Sequence, residues 1–277
     1  MNGTWRALWK LAWWESRLLW CVLALLVFSF HWVMCFVVSQ VSTEHLLQMI
    51  NSLPEFIKRI LPVEVNRMIQ LDVRVSIAFD HPIVILACTS WAVSRGSDAV
   101  SGPLGRGTLE MVLSQPVTRR SVLLVNAILT TLGAFTLTVL GWLGTAVGLK
   151  TVPLLAEVSS VPYLYAAANL FAVTFFMAGV TTLLSACDRQ RSRTIGLAAG
   201  FYIIAIIIKV VGRAIPSCNW ATYLSFLSCF EPQKLIAEPE NVVAMSLRYD
   251  GILLVLGLIA YAVAIQVFRR RDLPAPL

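Results

Sequence analysis

Lys209 and Arg213 stand four residues apart in a run that is otherwise apolar. That spacing puts both cations on one face of a helix. Near the end of a lipid-immersed helix such a pair has two uses. It snorkels to water, or it lines a pathway and meets an anionic headgroup or substrate. Spacing alone leaves both uses open.

The other chemistry-bearing residues do not converge. His31, His45 and His81 are far apart, and there is no His-Glu-x-x-His zinc helix. Asp80 and His81 precede Pro82, which suits a helix start capped by Asp80 with Pro82 in its first turn. No Gly-x-Ser-x-Gly elbow occurs. The nearest approach to a phosphate loop, Gly144 to Lys150, has the wrong spacing and ends an apolar run. The sequence therefore predicts no catalytic, cofactor or metal residues and no ATP held by this chain.

A polar, glycine-broken stretch is more informative. Gly102-Pro103, Gly105 and Gly107 interrupt the preceding apolar run. Thr108 is placed to cap a short helix through Gln115, with Leu109, Val112 and Leu113 on one face and Glu110 pointing elsewhere. Pro116 stops that helix, and Thr118 can start the next. Two turns are not stable alone in water, so the helix must pack on its own bundle or on a partner protein. The spacing allows either.

Those residues need a scaffold, and composition says which kind. Apolar residues make up 58% of the 277 and charged residues 13%, against about a quarter charged in a soluble domain. Mean hydropathy is +0.76. Six runs approach the roughly 20 apolar residues that a bilayer-crossing helix needs: about 18–39, 78–95, 121–148, 161–186, 195–215 and 247–268. The predicted fold is all-α and polytopic, a single membrane domain over 1–277. The second run is short.

The chain carries a formal charge of +7, but no basic run interleaved with aromatics suggests nucleic acid. Arg6, Lys10, Arg17, Arg95, Arg106, Arg119, Arg120, Arg189, Arg191, Arg193 and Arg269 to Arg271 all fall on one side of the predicted topology. The positive-inside bias makes that side cytoplasmic, with both termini inside. Within residues 4–17, Arg6, Lys10 and Arg17 share a face beside the stripe Trp5, Trp9, Trp13, continued by Trp20. This predicts an amphipathic helix in the membrane plane; the plainer reading is the start of the first span.

On the outer side, residues 53–62 read as a short amphipathic helix. The aromatic loop 216–246 should dip into the membrane or pack on the outer rim. Cys218 and Cys229 share that loop and can pair in an oxidising compartment. Gly144-x-x-x-Gly148 and Gly196-x-x-x-Gly200 suit close helix approach, inside one bundle or between two.

Arg106-Gly107-Thr108-Leu109-Glu110, followed by Leu113-Ser114-Gln115-Pro116-Val117-Thr118-Arg119, resembles the cytoplasmic loop between the second and third spans of ABC-2-type transporter permeases. The exit Phe268-Arg269-Arg270-Arg271-Asp272-Leu273 and the layout of the whole chain are similar to that family too. Two positions depart from the pattern. Gly102-Pro103-Leu104-Gly105 stands where acidic residues are common, and Asn126 where a basic residue is.

The resemblance implies a permease subunit, most simply of an exporter in the cell membrane. Arg106, Gly107, Thr108, Leu109, Glu110 and Leu113 would form the coupling helix against a separate ABC ATPase, present in two copies and binding the ATP. A second permease subunit, identical or homologous, would complete the path among the membrane lipids. An ion-gradient-driven secondary transporter would instead place an acidic residue or broken helix at the midplane, and none is evident. A lipid-modifying enzyme would need a converging polar cluster. A non-transporting anchor of a multiprotein assembly would use the same short helix.

Overall fold

The computed structural model describes residues 2–271, with side chains from Arg6 onward. Trp5's side chain, Asp272 and Leu273 lie outside the described residues. Among those described, every regular element is helical. Five helices are long and apolar enough to cross a membrane.

The first is α1 (Asn2–Gln40), 39 residues without a break. At 1.5 Å per residue it is about 58 Å long, roughly twice the hydrocarbon thickness of a bilayer. The predicted in-plane helix and the first span are thus one rod. The physical reason is that no glycine or proline interrupts the chain between Trp5 and Gln40, so nothing turns the backbone into the membrane plane. Near its start Arg17 still lies over the Trp14 ring, 3.5 Å from its centroid.

Four short helices follow at the far end: α2 (Thr43–Asn51), α3 (Glu55–Ile60), α4 (Val65–Met68) and α5 (Leu71–Asp80). The expected outer amphipathic helix is α3, with its Lys58–Glu55 pair at 3.0 Å. The second expected span is not one helix. The backbone turns extended at His81, between α5 and α6 (Pro82–Ser97). His81 and not Asp80 is the cap, its ring nitrogen accepting from the Ile83 N–H at 3.3 Å. Asp80 is the last residue of α5, because the residue before a proline is pushed out of the helical region and that residue is His81. Pro82 occupies the first turn as expected. With 16 residues, α6 is about 24 Å long.

After α7 (Ser101–Gly105) and α8 (Thr108–Leu113) come the remaining long helices: α9 (Arg119–Thr151), α10 (Tyr163–Cys187), α11 (Arg191–Ala214) and α13 (Val242–Arg270). The loop before α13 is 3-10 turns and α12 (Pro232–Ala237). It packs on the bundle's rim, burying Leu227, Phe230, Leu235 and Ile236.

Two parallel helix pairs make the core. In the first, Gly141, Gly144 and Gly148 of α9 face Val27, Phe28 and Cys35 of α1 in rising order. A Cβ on Gly148 would stand 2.5 Å from the Cys35 sulfur, so glycine is what lets the backbones close. This assigns Gly144-x-x-x-Gly148 to packing inside the bundle. Gly196 and Gly200 on α11 meet nothing within 4 Å. In the second pair, Asn169 of α10 meets Asp250 of α13, and Gly179 meets Gly257 and Ala260. Between the pairs α6 runs antiparallel to α9: Trp91 Nε1 donates to the Thr130 carbonyl at 2.9 Å, and Arg95 lies beside Asn126.

Candidate functional site

Every long helix has one end at a common arginine-rich face. There α7 and α8 form a shallow step between α6 and α9. Ser185 of α10 stitches it on: its hydroxyl accepts from the Val100 and Ser101 N–H groups at 3.1 and 2.8 Å and donates to the Ser97 carbonyl at 3.1 Å. Ser101 in turn bonds Thr194 of α11 at 2.9 Å.

Gly107 makes the turn into α8 with φ 69°, the left-handed region where a side chain is strained. It takes the cap position that Thr108 was expected to fill. Thr108 is the first helical residue, and its hydroxyl donates to the Pro103 carbonyl at 3.3 Å. The helix ends at Leu113 rather than Gln115. The expected face of Leu109, Val112 and Leu113 is the less exposed one. Leu109 is 1% exposed and packs with Val100, Leu123 and Phe268, while Leu113 rests on the same cluster. Met111, on the other side, is 65% exposed. Leu109 therefore anchors the helix to its own bundle and is closed to a partner. Thr118 caps α9 as predicted, accepting from the Ser121 N–H at 3.1 Å.

Asp98 organises the charges at this end. It caps α6, and its carboxylate meets Arg106 at 3.0 Å, Arg95 at 3.7 Å and Arg191 at 3.7 Å. One anion thus ties the α8 turn to α6 and α11. Arg119, at the start of α9, donates to the Phe268 and Arg271 carbonyls, and Arg271 donates to those of Ala186 and Asp188 at 2.8 Å. These arginines complement carbonyl-rich helix C-termini. Beside the step lies a groove of about 460 Å³, walled by Leu8, Leu11 and Glu15 of α1 and by Met111 and Val112.

At the far end, Lys209 and Arg213 do not snorkel. Both reach Glu231, which is 3% exposed on the loop before α12. Lys209 Nζ is 2.8 Å from the carboxylate and Arg213 pairs with it directly. Lys209 also donates to the Leu227 and Phe230 carbonyls at 2.8 and 3.0 Å, and Arg213 to that of Ile60 at 3.3 Å. Burial makes pairing preferable to leaving either charge in apolar surroundings. The Glu231 N–H donates to Asn169 Oδ1 at 2.9 Å, and Asn169 Nδ2 donates to Asp250 Oδ1 at 2.7 Å. The network ties α11, the loop, α10 and α13 together.

Sequence reading missed Asp98 and Glu231 as partners. Asp98 had one signal, its spacing of three from Arg95. Glu231 had none, since no periodicity links a loop residue to a helix face. Cys218 and Cys229 are unpaired thiols. Burial raises the Cys229 thiol above its usual range, which keeps it protonated and slow to form a disulfide. Among the described residues no cluster of His, Cys, Asp and Glu could hold a metal.

No curated protein and no solved structure matches the chain. A family profile described as ABC-2 family transporter protein matches residues 14–273, nearly the full length of the chain, from within α1 through the end of α13. On that match, together with its helical membrane architecture, the chain belongs to the ABC-2 transporter family and is a multi-pass membrane permease subunit.

Proposed function

We propose that the chain is one permease half of an exporter, driven by a separate ABC ATPase that docks on the outward side of α8. One observation carries this reading: α8 is anchored beneath by Leu109 and presents Met111 outward, with Arg106 exposed at the turn before it. A load applied at Met111 is passed to Asp98 and so to α6 and α11, a rigid-body route between partner and bundle. The groove between α8 and α1 gives a partner side chain a place to enter. The ATP is bound by two copies of the partner, and a second permease subunit completes the path. The arginine-rich face and both termini are cytoplasmic, in the cell membrane. Six crossings follow, with α6 as the short second one, because α1 and α9 are parallel and the chain must return between them.

The test is co-purification with an ATPase encoded beside this chain, in the presence and absence of nucleotide. Wild-type protein captures it; Met111→Glu and Glu110→Arg lose capture by tenfold or more while melting like wild type. An ATPase that wild type never retains under any nucleotide condition would overturn the coupling role.

A further inference from the structure

A second cavity, of about 770 Å³, opens at the far end between α11 and α13. Phe201 and Ile204 line it from α11, and Ile252 and Leu256 from α13. From Arg248 to Leu256 the α13 wall descends about 12 Å, and from Arg213 to Phe201 the α11 wall about 18 Å. The cavity is therefore a slot along the helix axes. Its depth is apolar, and Phe226 closes one side by stacking on Phe201 at 5.2 Å.

The mouth is cationic. Arg213 is held by Glu231, so neither is free for a ligand. Among the described residues Lys234 pairs only with Glu238, 3.8 Å away, and both side chains are more than a third exposed, so that pair is weak. Arg248 lines the slot, is exposed, and has no carboxylate within ion-pair distance among the described residues. Two cations with little counter-charge thus stand over an apolar shaft. A purely apolar ligand would leave them unused, and a small free anion would leave the shaft unused. One molecule with an acidic head and an acyl tail matches both. Arginine's planar fork suits a phosphate oxygen pair.

We propose that this slot binds one anionic phospholipid, its phosphate between Arg248 and Lys234 and one acyl chain laid between α11 and α13. The assignment does not depend on the ATPase coupling.

Native mass spectrometry of the purified chain tests it, titrating dioleoyl phosphatidylglycerol against dioleoyl phosphatidylcholine. Wild type retains one phosphatidylglycerol at least tenfold more tightly than phosphatidylcholine. The double variant R248Q/K234Q removes that preference and melts like wild type, since both positions are solvent-facing. Ile252→Trp, which fills the shaft and leaves the charges, weakens binding of phosphatidylglycerol tenfold or more. Glycerol 1-phosphate at millimolar concentration does not displace the lipid. Equal retention of the two lipids by wild type overturns the proposal, as does unchanged phosphatidylglycerol binding in either variant. Displacement by glycerol phosphate would make this a site for free phosphate and overturn it too.

Discussion

Removing the Glu231 charge should damage this protein more than removing either cation that it holds. Glu231→Gln keeps the volume and the backbone bond to Asn169 but leaves Lys209 and Arg213 without an anion. Deleting one partner of a buried ion pair costs about 3–5 kcal/mol. The low end applies here, because the Lys209 and Arg213 side chains are 16% and 24% exposed and keep their carbonyl partners. A loss of about 3 kcal/mol corresponds to roughly 6–12 °C in melting temperature at this chain length. Lys209→Met should cost clearly less, because Glu231 retains Arg213. The triple variant, neutral at all three positions, should recover part of the loss, since no charge is then buried unpaired. Thermal unfolding in mild detergent, followed by tryptophan fluorescence, reads all three. A Glu231→Gln midpoint within 1 °C of wild type, or a larger loss in Lys209→Met, refutes the reasoning.

The α1–α9 contact should not tolerate Gly148→Val, which drives a side chain into Cys35, with a loss of about 2 kcal/mol or more; Gly196→Ala, facing open space, should leave the melting midpoint unchanged or raised. A Leu109→Glu chain should fail to yield folded monodisperse protein on size exclusion, because it buries a charge among Val100, Leu123 and Phe268, whereas Met111→Glu should elute normally. Maleimide counting on protein unfolded after purification without reductant should find all six cysteines free; four would mean that a disulfide had formed. Asp98→Asn should speed amide exchange through residues 101–115, since Arg106 and Arg191 then lose the anion that holds this turn; exchange unchanged there would mean that Ser185 alone secures it.

Five of the six expected spans were legible because lipid demands long apolar runs, and that signal is local. The break at His81 was half-legible: Pro82 announced a helix start, but its effect falls on the residue before it, moving the cap from Asp80 to His81. Gly107 was readable as a chain breaker, though a spacing argument could not tell that it replaces Thr108 as the cap. The face of α8 was legible, since spacing set Leu109 with Val112 and Leu113 and left out Met111; that this face packs on its own bundle was not, because only the neighbouring helix ends decide it. The long-range pairs were invisible for the same reason. Lys209 and Arg213 announced a charge in need of a solution, and the solution lay in a loop whose path no periodicity predicts.

That failure has a structural meaning at α11. The inner pairs are brought close by glycines at Gly141 to Gly148 of α9 and at Gly179 and Gly257 of α10 and α13, and 72% of α10's apolar stretch is buried within the chain. For α11 the figure is 17%. Its flanks carry Ile203, Ile204, Ile207 and Leu197 to the outside, where lipid or another chain must cover them. What holds α11 within this chain includes polar contacts near both ends, Arg191 on Asp98 and Thr194 on Ser101 at one, Lys209 and Arg213 on Glu231 at the other, and mid-helix contacts to the loop, where Ser225 donates to the Ala205 carbonyl at 2.7 Å and Phe226 stacks on Phe201. Polar contacts of this kind are directional and few, whereas apolar packing is diffuse. At its arginine-rich end Arg191 shares Asp98 with Arg106 of the turn into α8, so one carboxylate bears on both elements.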